Sequence, residues 1–364
     1  MNHHEEIFFE LLQSAIWDKV PKLNHVPTEK EWNDIYTISK EQTVTGIMLD
    51  AISKLPAAQM PPRKLLLQWI AAQKFIEKSN NSMNKELIYI YNELSKENIC
   101  TYLLKGQGVA QLYPIPEHRV CGDIDLYFKE KDLCKAIDYF TSIGCKIDDE
   151  DSSPHAETDY KGIKIELHKR SSTFYTKKLQ RRYDAITDNI IKSNREYIAI
   201  SGTEIEIFPP VLNALQQLSH MLRHILMSGL GLRQVCDWVL FIHKNQEHID
   251  MNSFTTYMKE LQLFNTYKAI TVLSIEYLGL PEHFASFDIT KDDKLSAKKI
   301  MFHIMAYGNF GHYGEHSYFE TNWEYIKSYI WKIRNCIRFR KLSKSEAWNY
   351  PIWQLHSISR IIKK

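Results

Sequence analysis

The chain has 364 residues, of which 44% are hydrophobic and 25% are charged, and its formal net charge is +2. These values are typical of a globular protein with a sizeable core, and the length allows two or three domains at roughly 100–200 residues each. Only 13 residues are glycine, which argues against a doubly wound dinucleotide-binding sheet with its glycine-rich loop.

The chain start and the hydropathy pattern predict a cytoplasmic protein. The first residues lack the charged region and the long apolar stretch of a signal peptide, and no window approaches the ~18 consecutive apolar residues of a membrane span. Six cysteines lie in apolar or mixed segments without C-x-x-C spacing. This usage indicates buried free thiols in a reducing compartment.

The first 97 residues are predicted to be helical. Apolar residues recur at helical spacing over residues 5–17 and from Pro62 to about Glu97. Thr28 is the predicted N-cap of a helix between these two segments. Residues 1–97 are therefore expected to form an N-terminal helical region.

Strand patterns begin at Asn98 and continue to residue 208. The predicted elements are a strand over residues 99–104 that ends at Lys105-Gly106, a helix over 107–113, an alternating strand over 120–128, a helix over 131–143, and two hairpins (155–160 with 163–168, and 197–200 with 204–208). After Pro209-Pro210 the pattern is mostly helical. The sequence thus predicts an α+β protein, with a mixed α/β unit at 98–208 and a helical domain at 209–364.

Two acidic residues occupy alternate positions of the strand predicted over residues 120–128. In a strand, residues i and i+2 point to the same side, so Asp123 and Asp125 leave one face while Ile124 and Leu126 anchor the other. Adjacent carboxylates repel each other unless a cation lies between them, and Mg²⁺ is commonly held by one or two carboxylates plus substrate phosphates. An Asp-x-Asp pair alone is a weak signal, because surface acids on an edge strand give the same pattern.

Three further features strengthen the hypothesis of a phosphate-binding metal site. Lys105-Gly106 opens a predicted short helix, whose free N–H groups suit phosphate. Arg119 precedes the acids by four residues and could meet the phosphates or form an ordinary salt bridge with a carboxylate. Glu166 lies on the polar face of a later strand that could pair beside the Asp123 strand, with His168 on the same face as a supporting donor.

These residues together resemble a known family. The pattern Leu-Lys-Gly, then Arg before Gly-Asp-Ile-Asp-Leu, then Glu-Leu-His is similar to the bacterial uncharacterised nucleotidyltransferase family of the DNA polymerase β-like superfamily. The resemblance is good from Ile99 to Arg170 and weaker from Phe208 to Ile242. The sequence departs from the wider superfamily in two places: Lys105-Gly106-Gln107 replaces a Gly-Ser turn, and Glu166 stands where Asp is common.

The resemblance implies a small nucleotidyltransferase sheet and a two-metal displacement. Asp123, Asp125 and Glu166 would be the catalytic and metal-binding residues, with Mg²⁺ or Mn²⁺ as the cofactor and His168 as support. The implied nucleotide-binding residues are Lys105, Gly106, Arg119 and Gly122. A nucleoside triphosphate would donate its monophosphate to an unknown hydroxyl acceptor (a small molecule, a glycan precursor or a protein), with release of pyrophosphate.

A second group of polar residues lies on the helices that resemble the family's C-terminal cap. His220 and His224 have the i, i+4 spacing of a zinc-binding pair, but Met221 stands where a metalloprotease has Glu. We therefore reject zinc there and predict an interhelical pair, with Arg233 bound to Asp237 at i, i+4.

The sequence leaves several alternative functions open. A glycosyltransferase also uses Asp-x-Asp, but it needs an α/β unit ahead of the motif, where this chain is predicted to be helical. A phosphocholine-type transferase on the same core, and a non-catalytic nucleotide-binding or antitoxin-like interaction protein, fit the same residues. Residues 327–364 carry ten Lys or Arg and one acid, Glu346, which permits contact with RNA or a membrane surface, although a solvated helix face explains them as well.

Overall fold

A computed structural model of the protein describes residues 3–148, 155–309 and 322–362. Within these ranges a seven-stranded mixed sheet is combined with many helices. The predicted α+β class is therefore confirmed.

Helices occupy most of the chain before the sheet. They are α1 (His3–Ile16), α2 (Glu29–Glu41), α3 (Thr45–Ile52) and α4 (Arg63–Lys96). Thr28 caps α2 as predicted: its hydroxyl accepts from the Glu31 N–H, and the Glu31 carboxylate accepts from the Thr28 N–H. Helix α3 was not predicted, because its residues are buried almost all round and the short helix therefore shows no amphipathic stripe in the sequence.

The strands come from a continuous part of the chain but are not paired in chain order. They are β1 (Tyr102–Leu104), β2 (Ile124–Tyr127), β3 (Ile147–Asp148), β4 (His155–Tyr160), β5 (Ile163–His168), β6 (Glu196–Ile200) and β7 (Thr203–Ile207), in the order β3-β4-β5-β2-β1-β7-β6. The β2–β5 and β1–β7 pairs are parallel, and the others are antiparallel. The β4–β5 hairpin has the predicted limits.

The strand that carries the two acids is shorter than the predicted 120–128. Residues 120–123 are not paired with a neighbouring strand. Instead, side chains of a later helix hold this segment: Arg233 donates to the Val120 carbonyl at 2.8 Å, and Asp237 accepts from Arg119. Asp123 therefore directly precedes β2, and Asp125 lies within it.

Three helices accompany the strands, and one face of the sheet is packed against helices. The three are α5 (Gly106–Ala110), α6 (Glu130–Ser142) and α7 (Lys177–Ser193); the last was not predicted. Apolar residues of β2 and β5, such as Ile124 and Ile165, form a core cluster with the second half of α4 and with Phe140 of α6. The alternation of the strands leaves their polar residues on the opposite face.

The remaining helices follow the sheet. They are α8 (Pro210–Met227), α9 (Leu232–Asn245), α10 (Met251–Glu260), α11 (Phe264–Leu278), α12 (Lys291–Tyr307), α13 (Asn322–Phe339) and α14 (Lys344–Ile362). Many of their apolar residues share one core with α1, α2 and α3. Trp17 also donates from its indole N–H to the Leu278 carbonyl at 2.7 Å. The predicted boundaries after residues 97 and 208 stay predictions, but the two helical regions are packed together.

The basic C-terminal segment is partly packed into this core. Phe339 is buried, Lys341 pairs with Asp292 at 3.0 Å, and burial lowers the pKa of Lys332. Trp348 is exposed, while Lys363 and Lys364 lie outside the described residues. Contact of this segment with RNA or a membrane remains a prediction.

The cysteines and the helix hydropathy bear on the predicted environment of the chain. The six cysteines are free, but only Cys236 and Cys336 are buried, and Cys100 and Cys134 are exposed; the prediction that all would be buried was wrong. None of the helices in the described ranges combines the length and the apolar composition that a membrane span requires.

Candidate active site

Three carboxylates from two neighbouring strands converge on the polar face of the sheet. Parallel pairing of β2 with β5 places Asp125 directly opposite Glu166. Asp123 lies two residues before Asp125 and therefore on the same face. One oxygen from each of the three side chains lies within 4.8 Å of the others. The spatial proximity on which the predicted metal site depends is present.

The turn after β1 brings a cation to these acids. Lys105 and Gly106 both have positive φ angles, +45° and +39°, a conformation that costs a non-glycine residue roughly 1–3 kcal/mol and is often found at functional sites. The Lys105 ammonium lies 3.3 Å from Asp125 Oδ1. The Gln107 amide donates to the Asp123 carbonyl at 3.2 Å. The turn is thus tied to both aspartates.

The three carboxyl groups have different proton affinities. Burial, together with the charges of Asp125 and Glu166, raises the pKa of Asp123 to about 6. Burial acts in the same direction on Asp125, but Lys105 and the hydrogen bond from His168 outweigh it and hold its pKa well below the usual range. Burial also raises the pKa of Glu166, but the hydrogen bond from His168 together with the charges of His168 and His155 outweighs it and lowers this pKa. The cluster therefore disfavours a third negative charge at Asp123.

Two histidines border the acids. His168 Nε2 lies 2.7 Å from Asp125 Oδ1 and 3.2 Å from Glu166 Oε2. Burial opposes protonation of this imidazole, but the bonds to the two acids prevail and raise its pKa. His155, which was not among the predicted site residues, lies 3.6 Å from the same Glu166 oxygen. The two-residue turn at Lys161-Gly162 could have revealed it, because that turn fixes His155 opposite His168.

Arg119 is the predicted nucleotide ligand whose side chain is already engaged. Its Nε and Nη2 donate to the Asp237 carboxylate at 3.0 and 2.6 Å, and its Nη1 donates to the Val120 carbonyl. Tyr113 donates to the same carboxylate at 2.8 Å. Of the two roles left open for Arg119, the structure shows the salt bridge. The predicted Arg233–Asp237 pair was wrong, because Asp237 faces Arg119 across the fold.

Helices α8 and α9 form a wall opposite the polar face of the sheet. A cleft of about 270 Å³ lies between this wall and the sheet. All the residues predicted to bind nucleotide or metal, and the predicted supporting residue His168, line this cleft; the former are Lys105, Gly106, Arg119, Gly122, Asp123, Asp125 and Glu166. Arg233, which also lines it, is fixed by its bond to Val120. A Cβ at Gly122 would meet nothing within 4 Å, so this side of the cleft is open.

The histidine pair of α8 also faces the cleft. His220 and His224 share a hydrogen bond of 3.1 Å between their Nε2 atoms, within one helix and not between two helices as predicted. Burial and the neighbouring cations Arg223 and Lys105 lower the pKa of His224 to about 3, and burial lowers that of His220 too. Both imidazoles are therefore neutral at pH 7 and offer hydrogen bonds without charge.

The donor set of the three acids fits the predicted metal. Mg²⁺ takes oxygen ligands and is usually bound by one or two carboxylates together with substrate phosphates. The raised pKa of Asp123 has its cause in burial and in the two neighbouring acids, and a divalent cation would remove that conflict of charge. The residues present thus fit Mg²⁺ or Mn²⁺.

The fold and the site together define an α+β protein. Its mixed sheet carries three converging acids beside a Lys-Gly turn, and these face a cleft lined by both acidic and basic side chains. A model of the family described as uncharacterised nucleotidyltransferase matches residues 28–279. The match covers well over half of the chain, so the protein belongs to this family, as the motifs predicted. The residues that line the cleft all lie within the matched range.

Comparison with solved structures and with curated proteins gives no further information about function. A crystal structure of an antigenic nucleotidyltransferase-like protein from Paracoccidioides brasiliensis is similar at 16% identity, over 49% of this chain and 93% of that chain, with a TM-score of 0.28. A likeness at this level supports no conclusion about function. No curated protein matches the chain.

Proposed function

We propose that the protein is a metal-dependent nucleotidyltransferase that moves a nucleoside monophosphate from a nucleoside triphosphate to a hydroxyl acceptor and releases pyrophosphate. The convergence of Asp123, Asp125 and Glu166 within 4.8 Å is the observation that carries this proposal. Family membership supports the general activity. The acceptor and the base of the nucleotide are not specified by these residues.

Asp123, Asp125 and Glu166 would hold Mg²⁺ or Mn²⁺ in this proposal. When bound, divalent cations supply charge that stabilises both the attacking and the leaving oxygen of an in-line displacement. The acids and the Lys105-Gly106 turn lie in one cleft, so a triphosphate placed beside the acids also reaches the turn. The site is thus suited to a metal–nucleotide complex.

Cations on both walls of the cleft would bind the phosphates. The Lys105 ammonium, now beside Asp125, would neutralise the leaving pyrophosphate from the sheet side. Arg233 would act from α9, since its Nη1 is anchored to the Val120 carbonyl and its guanidinium lines the cleft. Arg119, whose donors are already bound by Asp237 and Val120, would instead hold the loop that carries Gly122 and Asp123.

Glu166 would orient the acceptor hydroxyl and take its proton as the new phosphorus–oxygen bond forms and the bond to pyrophosphate breaks. Its lowered pKa keeps it ionised, as a proton acceptor must be. His168 contacts Glu166 and Asp125 at once and would hold their relative orientation. A phosphocholine-type transferase would use the same acids with a different donor, so the choice of donor in the assay separates the two.

The decisive experiment is nucleotide binding by an Asp123→Asn variant. Calorimetric titration with ATP, GTP, CTP and UTP in MgCl₂ should show that wild-type protein binds at least one of them. Asp123→Asn should weaken that binding at least about tenfold, or ~1.4 kcal/mol, because one metal ligand is lost. Asp138→Asn, on the exposed side of α6, is the matched control and should bind normally.

Two results would contradict the proposal. One is unchanged affinity of Asp123→Asn for the Mg²⁺-nucleotide complex. The other is wild-type protein that binds a nucleotide equally well in EDTA and in MgCl₂, because the acids would then have no part in binding.

A further inference from the structure

A second group of potential metal ligands adjoins the three carboxylates. It consists of His155, Glu166 and His168, whose ligand atoms all lie within 4.8 Å of one another. The antiparallel pairing of β4 with β5 places His155 directly opposite His168, and Glu166 precedes His168 by two residues on the same face. Strand register, and not the chance position of long side chains, therefore sets this arrangement.

The spacing of the donor atoms suits a small divalent ion. Zinc–ligand bonds of about 2.0–2.1 Å in tetrahedral geometry place neighbouring ligand atoms about 3.3–3.4 Å apart. Glu166 Oε2 lies 3.2 Å from His168 Nε2 and 3.6 Å from His155 Nε2. These two distances bracket that value, and the ligand atoms of the two imidazoles lie within 4.8 Å of each other, so adjustments of the side chains would place all three ligands around one ion.

The chemistry of the donors differs from that of the neighbouring acids. Two imidazole nitrogens and one carboxylate oxygen form a set that binds zinc and other transition metals, whereas Mg²⁺ prefers oxygen alone. The three-acid group and the two-histidine group share Glu166. The same cleft thus presents two adjacent groups of donor side chains with different chemistry.

Charges around the histidines favour a bound cation. Glu157 lies 2.9 Å from His155 Nε2, and Asp125 lies 2.7 Å from His168 Nε2. Lys164 contacts the other oxygen of Glu166 at 3.1 Å and also pairs with Glu157, but its side chain is about half exposed. Three acids therefore surround the two imidazoles, against two cations, Lys164 and Lys105, the second of which lies 3.3 Å from Asp125 Oδ1.

We propose that His155, Glu166 and His168 bind a transition-metal ion, such as Zn²⁺ or Mn²⁺, beside the all-carboxylate position and share Glu166 with it. The ion would replace the protons that otherwise link His155 to Glu166 and His168 to Glu166 and Asp125, and it would take over from the His168 hydrogen bonds the positioning of Glu166. The proposal needs no nucleotide, so it can be tested apart from the transferase activity.

Cobalt provides the test, because Co²⁺ takes the same ligands as Zn²⁺ and its visible absorption reports their geometry. Full-length protein freed of metal with a chelator, and then of the chelator, should bind one Co²⁺ with a visible band. Zn²⁺ should displace it at equimolar concentration, and millimolar Mg²⁺ should not. His155→Ala should weaken Co²⁺ binding at least about tenfold, and His155→Gln, which keeps more of the side-chain volume, should do the same if the alanine variant folds poorly.

His220→Ala is the matched control, because His220 lines the same cleft and pairs with His224 at a spacing that can bind metal. It should bind Co²⁺ like the wild type. The proposal is overturned if wild-type protein binds no Co²⁺, if both His155 variants bind it normally, or if only His220→Ala loses it.

Asp123→Asn separates this proposal from the proposed function. It should keep the Co²⁺ band while it loses Mg²⁺-dependent nucleotide binding. If Asp123→Asn binds nucleotide normally and the Co²⁺ band still depends on the histidines, the transferase assignment alone is refuted. If Asp123→Asn loses nucleotide binding but no Co²⁺ band is seen, the second metal position alone is refuted.

Discussion

Asp123 carries a charge that the protein disfavours in the absence of a cation. Its pKa is raised from 3.8 to about 6 by burial and by the nearby charges of Asp125 and Glu166. A group whose pKa is higher in the folded state than in the unfolded state stabilises the fold at low pH, and this contribution is lost as the pH rises through the folded value. Metal-free protein should therefore lose stability on account of Asp123 between about pH 4 and pH 6.

The raised pKa of Asp123 leads to a prediction for the stability of Asp123→Asn in EDTA. The variant cannot ionise at this position, so it should be more stable than the wild type at pH 7.5, by about 1–2 kcal/mol after allowance for coupling among the acids. The advantage should be smaller by roughly 1 kcal/mol at pH 5. Urea unfolding at the two pH values, followed by circular dichroism, measures both.

Asp138→Asn again serves as the control and should show no pH-dependent difference from the wild type. A stability gain of Asp123→Asn that was larger at pH 5 than at pH 7.5 would mean that the proton affinity of Asp123 is not raised. Addition of MgCl₂ and a bound nucleotide should reverse the order of stabilities, because only the wild type gains from binding.

At the scale of elements, α3 is in close contact with the turn before Arg119. The Gln73 amide donates to the Gly46 carbonyl at 2.8 Å, and His118 bonds to Asp50 at 2.7 Å. A Cβ at Gly46 would lie only 2.2 Å from the His118 carbonyl oxygen. Glycine at this helical position thus lets α3 approach the backbone of the turn.

Gly46→Ala should consequently destabilise the protein, by about 1–3 kcal/mol, because two backbone segments must move apart. Helix propensity alone predicts the opposite, a gain of up to about 1 kcal/mol for alanine over glycine, so the sign of the change is diagnostic. The midpoint of urea unfolding gives the measurement. Gly108→Ala is the matched control: it is also helical, but its Cβ would lie at an ordinary 3.5 Å from Leu103, and it should not lower stability.

At the scale of the whole molecule, the N-terminal helical region helps to position the helix that faces the acids. Gln42, fully buried after α2, accepts from the N–H of Leu232, the first residue of α9, at 3.0 Å. Its amide nitrogen donates to the Ile304 carbonyl of α12 at 2.9 Å. The next residue of α9 is Arg233, so this single side chain links α2, α12 and the cleft wall.

Gln42→Leu should therefore lower the free energy of unfolding by about 1–3 kcal/mol, since it leaves the buried Leu232 N–H without its acceptor. Gln68→Leu, at an exposed position of α4, is the control for this substitution.

Because the N- and C-terminal helices share one core, tryptophan fluorescence and circular dichroism should report one coincident unfolding transition. Separate transitions for the two signals would contradict the shared core.

The sequence by itself determined the local elements and the polarity of their faces. Alternation over residues 163–168 placed Glu166 and His168 on one side, and the turn at Lys161-Gly162 set the limits of β4 and β5, which the structure confirms. The Asp-x-Asp spacing likewise put Asp123 and Asp125 on one face. These features depend on residues close together in the chain, where strand geometry acts directly.

Only the tertiary structure decided which distant segments meet. The parallel pairing of β2 with β5 brings Glu166 opposite Asp125, and the packing of α9 on the loop before β2 gives Asp237 to Arg119 and leaves Arg233 at the cleft. Many strand orders satisfy the same local pattern of apolar and polar residues, and burial and hydrogen bonding of the whole chain select one of them. The selected strand order brings Asp123, Asp125 and Glu166 together in the candidate active site.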